Sequence, residues 1–225
     1  AVVSEGRRLI FEIYRDLTER KAYEQEIERL NRLYLTLSQV NQAIVHSSAN
    51  RQELLEAVCQ EMAQHALFRL VWIGQHDEMQ HRVKPVAWAG PDHGFIEGFE
   101  VFTDDRAEAH EPTGTAVREG RSVVFNNLRE DPLQDPWRER LQLYGFGSGA
   151  AFHIRLQGKV WGSVTVYAPE SGFFRDKDVA LLEEVAADIS FALEHGESEA
   201  WRQQLERRNR QLAAIVDASD DAMVS

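Results

Sequence analysis

The stretch GSGAAFHIRLQGKVWGSVTVYA, residues 147–168, decides the fold. It reads as two long strands, Ser148 to Leu156 and Lys159 to Ala168, joined by Gln157-Gly158. Glycine at the second loop position fits a tight hairpin turn of the primed type. In the second strand Val160, Gly162, Val164 and Val166 alternate with Trp161, Ser163, Thr165 and Tyr167. Side chains of a strand alternate between its faces, so the valines suit a face packed beneath helices. The other face would carry Trp161 and Tyr167 with two hydroxyls between them. Aromatic walls with a few polar groups describe a small-ligand site, and equally a plain core.

The flanking sequence completes a sheet. After the hairpin, PESGFF leads into a long helix from about Asp176, whose acidic first turn suits the positive end of a helix. Before it, Asp135 to Tyr144 reads as a helix capped by Asp135 with Pro136 at its first position, and Arg121 to Asn126 as a strand. PTGTAVREG, residues 112–120, forms a short helix opened by Pro112 and closed by Gly120. Phe68 to Gln75 and Arg82 to Ala89 make an antiparallel hairpin over the polar turn Asp77 to Gln80, with Pro85 pointing to an edge or a bulge. Residues 51–66 give an amphipathic helix with Leu54, Leu55, Val58, Met62 and Ala66 on one side. The order is that of an α+β domain, an antiparallel sheet with helices.

Outside this block lie helical rods. Tyr23, Ile27, Leu30, Tyr34, Leu37, Asn41 and Ile44 recur at alternating steps of four and three, the heptad spacing of a coiled coil. The seam predicts a parallel homodimer in which Asn41 faces its symmetry mate and fixes register. The competing reading is a single amphipathic helix packed on its own domain. A second helical stretch carries Trp201, Leu205, Leu212 and Ile215, with Arg208 inside its seam. At the start of the chain, GRRLIFEIY at 6–14 reads as a strand.

The bulk numbers restrict the function classes. The chain has 225 residues, 43% hydrophobic and 28% charged, enough for one core between the rods. A net charge of −12 argues against nucleic-acid backbones and anionic membranes as partners. Cys59 is the single cysteine, which excludes an internal disulfide and a thiolate metal cluster within one chain, and a reducing cytoplasm is the expected compartment. No export signal or run of 18 apolar residues is expected to place this segment in a membrane; a membrane anchor of the parent protein would lie elsewhere.

Five strings in order, LFRLVWIG (67–74), PTGTAVREGRSVVFNNL (112–128), DPW (135–137), the hairpin 147–168 and FFRDKDVALLEEVAADISFALE (173–194), resemble a GAF domain over residues 49–195. The resemblance implies a five- or six-stranded antiparallel sheet with a small-molecule pocket on one face and dimerising terminal helices on the other. DLTERK at 16–21, after the strand read at 6–14, resembles the tail of a PAS domain occupying 1–21, and DASDDAMVS at 217–225 resembles the entry into another. Coiled-coil segments at 22–48 and 196–216 would then connect three domains. Such a succession is similar to the sensory half of bacterial signalling proteins, whose outputs are cyclic di-GMP enzymes of the GGDEF/EAL type or histidine kinases. The implied role is a non-catalytic module that binds a small ligand and relays the signal through dimeric helices. A ligand-free dimerisation spacer and a haem-dependent gas sensor are the alternatives.

For the ligand site the sequence offers the aromatics Trp72, Trp88, Phe125, Trp137, Phe146, Phe152, Trp161 and Tyr167, with Arg106 and His110 on a connection at 90–112 that would close over them. His153, in mid-strand, is the candidate haem ligand; Cys59, on the first helix of the domain, is poorly placed for a covalent bilin. Cyclic-nucleotide-binding relatives of the resembled family carry Asn-Lys…Phe-x-x-x-Asp-Glu. Phe174 and Asp178 match its end, but Val179 replaces the Glu and Asn126-Asn127 lacks the Lys. No phosphate-cradling glycine motif or catalytic triad signature is present, and no cofactor is specified. His76 and His81 flank the turn of the first hairpin with Asp77 and Glu78, without the spacing of a metal-binding helix.

Overall fold

The computed structural model describes residues 2–47, 50–64, 68–91, 94–195 and 206–214. Its elements are α1 (Val2–Ser47), α2 (Arg51–Gln64), β1 (Leu70–Asp77), β2 (Arg82–Ala89), β3 (Val101–Phe102), α3 (Pro112–Glu119), β4 (Val123–Phe125), α4 (Arg138–Leu143), β5 (Ser148–Leu156), β6 (Lys159–Ala168) and α5 (Asp176–His195). The strands form one antiparallel sheet in the order β3-β2-β1-β6-β5-β4. Helices α1, α2 and α5 cover one face, burying Val164 and Val166 of β6 and Phe152 and Ile154 of β5. The other face is covered by the 94–111 connection, α3, α4 and the 3-10 helices Ala107–His110 and Pro132–Trp137.

The central hairpin turns as its sequence requires. Gln157 and Gly158 have φ of 53° and 77°, the two left-handed positions of a type I′ turn. Just beyond the turn the strand departs from simple alternation. Ile154 pairs with Gly162 and Arg155 with Val160, so Trp161 has no opposite residue and forms a bulge. The bulge reverses the faces before Gly162. Val160 packs on the aromatic side and Trp161 on the helical side, where Arg51 lies 5.9 Å from its ring centre. Trp161 and Tyr167 therefore do not share a face. A second bulge lies in β2, where Ile73 opposes Ala87 and Gly74 opposes Pro85; Pro85 sits beside the slip as expected. Between the bulges β1 and β6 approach so closely that a Cβ on Gly162 would lie 2.0 Å from the Gly74 carbonyl oxygen.

Three local expectations are corrected. Residues 6–14 are helical, as part of α1. Leu9, Ile13 and Leu17 also fit helical spacing, and no strand of the sheet pairs with this segment. The PAS-like reading of 1–21 thus loses its strand. The helix expected from Asp135 begins as a 3-10 helix at Pro132, capped by Asp131, whose carboxylate accepts the Leu133 N–H at 2.9 Å; α-helix starts only at Arg138.

The third correction concerns the rods. Leu33, Leu37, Val40 and Ile44 are buried in the chain's own helical core, and Asn41 is only 2% exposed. Asn41 is thus enclosed by its own chain, with no hydrogen-bond partner for Oδ1 among the described residues, and does not face outward to a symmetry mate. Toward the N-terminus the seam opens: Leu30 and Tyr34 are half-buried, Ile27 is 37% exposed and Tyr23 72%. At the other end, 206–214 is helical and Leu212 joins the helical core. Arg208 pairs with Asp188 at 2.7 Å and Glu184 at 2.8 Å. In one continuous helix Arg208 would lie about 30 Å beyond Asp188. The segment therefore returns along α5 and does not extend it. Trp201, Leu205, Ile215 and the PAS-like 217–225 lie outside the described residues.

Candidate functional site: an aromatic layer under a strap

On the face opposite the long helices, Trp72 of β1 and Tyr167 of β6 form the floor of a closed aromatic layer. Phe146 stacks on Tyr167 with centroids 4.6 Å apart, and Phe95 meets both edge-on at 5.1 and 5.6 Å. Phe99 bridges Phe95, Trp72 and Trp137. Trp72, Phe95, Phe146 and Tyr167 are fully buried, and Phe125 packs at the margin. Edge-to-face and offset contacts of this kind contribute about 0.5–1.5 kcal/mol each beyond the area they bury.

The upper wall is the 94–111 connection, strapped down through its backbone carbonyls. Arg140 of α4 donates to the carbonyls of Phe95, Glu97 and Gly98, with its guanidinium 5.1 Å from the Phe95 ring centre and 5.4 Å from that of Phe99. Trp137 Nε1 donates to Glu108 O at 3.1 Å, Gln134 Nε2 to His110 O at 3.0 Å and Arg118 Nη1 to Ala109 O at 3.0 Å. The strap is therefore held by side chains of three elements across its whole length.

Polar groups are sealed in with the rings. The Glu111 carboxylate caps α3, accepting the N–H groups of Thr113 and Gly114. Burial pushes its pKa from the ordinary 4.5 up to about 7, against the pull of those two amides. Thr113 and Thr165 share a hydroxyl hydrogen bond of 2.8 Å across the α3–β6 contact. Burial also raises the Tyr167 phenol well above its usual value, with the Glu111 charge acting in the same sense. Trp72 Nε1 lies beside the Tyr167 side chain but has no aligned acceptor. Gln134 Oε1, Arg140 Nε and Ser163 Oγ are likewise buried without partners among the described residues. Leaving such groups unpaired costs roughly 1–3 kcal/mol each.

Of the aromatics offered by the sequence, Trp72, Phe125, Trp137, Phe146 and Tyr167 come together here. Phe152 and Trp161 belong to the helical side, for the reasons of alternation and bulge given above. Trp88 opposes Trp72 in register but is 47% exposed. Arg106 is exposed, paired with Asp104 and laid over the Phe102 ring at 3.8 Å. His110 lies at the strap's end, where its carbonyl is used by Gln134. His153 lines a groove of about 410 Å³ along β5 with Glu183 and Ser190 of α5, and burial lowers its pKa. His76 bonds to Thr103 Oγ1 at 3.1 Å, and no group of metal-binding side chains occurs among the described residues. The sequence reading missed Phe95, Phe99, Glu111, Gln134 and Arg140. Glu111 directly precedes Pro112 at a helix start, where an acidic side chain suits the positive end of the helix.

With this architecture in place, the family is plain: a GAF domain family model matches residues 48–194, and the chain belongs to that family. GAF domains are typically sensory or regulatory modules of signalling proteins. Comparison with curated proteins finds no match. Among solved structures the chain is similar to the GAF domain of a phosphoenolpyruvate-protein phosphotransferase from Coxiella burnetii, at 15% identity and a TM-score of 0.60 over 73% of this chain and 94% of that one. It is also similar to free methionine-R-sulfoxide reductase from Neisseria meningitidis in complex with its substrate (15%, TM-score 0.59, 75% and 89%). A third likeness is to the domain of a two-component sensor histidine kinase protein from Sinorhizobium meliloti 1021 (16%, TM-score 0.50, 68% and 96%). At these identities the likeness is one of fold.

Proposed function

We propose that this chain is a non-catalytic sensory module that takes a small polar ligand into the aromatic layer. The observation that carries the reading is a set of buried polar atoms in or beside a box of aromatic rings: Gln134 Oε1, Arg140 Nε and Ser163 Oγ have no partner among the described residues, and Trp72 Nε1 has only the poorly aligned Tyr167 side chain. Entry requires the 94–111 strap to lift, and its anchors on Arg140, Trp137 and Gln134 would re-form over the ligand. The ligand acts on signalling only if it binds two arrangements of the chain unequally.

The output is carried by α1. Tyr23 and Ile27, exposed on α1, with the half-buried Leu30 and Tyr34, would pair two copies into a homodimer and pass a shift to neighbouring domains of the same protein. PAS domains and a GGDEF/EAL output, or a histidine kinase, are the neighbours this reading expects, in the cytoplasm. No described helix is long and apolar enough to cross a membrane. A reductase of the thiol type finds little support. Cys59 is the sole cysteine, lies buried in α2 on the opposite side of the sheet, and burial pushes its thiol far up.

Titration calorimetry against a library of small metabolites tests the reading, with Trp72→Phe in parallel because it removes the indole N–H while keeping a ring. A ligand that binds the native chain at least ten-fold more tightly than the variant is expected. A library without a binder would favour the spacer, and a spectrum with a Soret band after haem addition would favour the gas sensor.

A further inference from the structure

The turn between β6 and α5 is tied at one end to the margin of the aromatic layer and at the other to α1. Asn126 follows Phe125 and lies two residues before Leu128, both of which pack on that layer. Its side chain holds Phe174 from both sides: Oδ1 accepts the Phe174 N–H at 2.9 Å, and Nδ2 donates to Phe174 O at 2.8 Å. The Asn126 carbonyl accepts the Gly172 N–H at 2.7 Å. The turn is thus locked to β4 by three bonds from one residue.

Four residues further on, Asp178 is the other anchor. Its side chain is 1% exposed, and both carboxylate oxygens lie 2.8 Å from Nη1 of Arg29 on α1. Oδ2 also accepts the Arg175 N–H at 2.8 Å. Glu26, one turn before Arg29, bonds to Arg29 and to the Arg175 side chain. Phe173 stands against Arg29, 5.9 Å from guanidinium to ring centre, and Phe173 and Phe174 both pack on Phe68. Charge-assisted bonds to a buried carboxylate are among the stronger and more directional contacts in a protein.

We propose that residues 172–178 form a joint that couples the margin of the aromatic layer to α1, with the Arg29–Asp178 pair as its pin. The pin sits between Leu33, Leu37, Val40 and Ile44, packed on the domain, and Tyr23 and Ile27, which are exposed, so it fixes how α1 is held at the point where its packing on the domain ends. This gives the relay of the proposed function a route, and it rests on that reading only for its biological use; the coupling itself is a property of the free chain.

Amide hydrogen exchange on the purified chain tests it without any ligand. Asn126→Ala removes both side-chain bonds to Phe174, and neither of those bonds reaches α1. The joint predicts about ten-fold faster exchange in 172–176 and also in 24–33, with 51–64 of α2 unchanged. Coupling is reciprocal, so Arg29→Gln should loosen 123–128 as well as α1, and Arg29→Lys should restore part of the protection. If Asn126→Ala does not fold, Asn126→Ser, which keeps one short polar group, replaces it with the same expectation. Faster exchange confined to 123–128 and 172–176, with 24–33 as in the native chain, would overturn the proposal. So would an Arg29→Gln effect confined to α1. Neither result bears on whether the aromatic layer binds a ligand.

Discussion

Glu111 makes the native state depend on pH in a direction opposite to that of an ordinary paired carboxylate. Its pKa rises from 4.5 to about 7 on folding because its carboxylate is fully buried. Between those values the folded chain binds a proton that the unfolded chain has lost, so stability falls as pH rises through this window. At about 1.4 kcal/mol for each pH unit, the full effect is bounded at about 3 kcal/mol. It is present below pH 4.5 and gone above about 7. Glu111→Gln retains an oxygen for the Thr113 or Gly114 N–H but cannot ionise. Urea denaturation at steps from pH 5 to 8.5 should therefore show the native chain losing roughly 2–3 kcal/mol relative to the variant. Asp188, raised to about 6 mainly by burial, acts in the same sense, and His76 and His153, lowered by burial, act in the other. All three are common to both proteins and cancel in the difference. A difference between the two chains that stays flat across this range would refute the reasoning, since it would mean that Glu111 is ionised throughout or reached by water.

Further expectations concern packing and assembly. Tyr23→Glu with Ile27→Glu, at positions exposed in the chain, should give monomers by light scattering whose melting temperature no longer depends on protein concentration, whereas Leu37→Ala should cost roughly 2–4 kcal/mol in urea because Leu37 is buried in the helical core. A dimer that survives the double substitution would move the interface elsewhere. Asn41→Leu should hold or raise stability in the same assay, since it removes a buried oxygen without a partner. Gly162→Ala should cost about 3 kcal/mol or more or prevent folding, because its Cβ would meet the Gly74 carbonyl; a variant as stable as the native chain would show that the paired bulges relax freely.

The hairpin and the helical cover were legible because they follow from periodicity and turn chemistry. Val164 and Val166, and Leu54, Leu55, Val58 and Met62, fall where strand and helix periods put them. The position of Trp161 was not, because a bulge is decided by how β6 pairs with β5; only the glycines Gly162 and Gly74 within the strands hinted at a break in alternation. Phe95 and Phe99 stand in a connection with no regular period, so nothing local says that both point into the layer. The seam on α1 was real as a pattern, but a heptad stripe does not say whether its partner is a second copy or its own domain. Leu37, Asn41 and Ile44 found the latter.

The claim that most needs testing is that the layer opens for a ligand beneath the 94–111 strap. Amide exchange of the purified chain, with and without the metabolite that binds best in calorimetry, measures it directly. The account predicts slower exchange in 94–111 and around Trp72 and Tyr167 when the ligand is bound. Protection confined to the groove lined by His153, Glu183 and Ser190, with 94–111 exchanging as in the free chain, would contradict it.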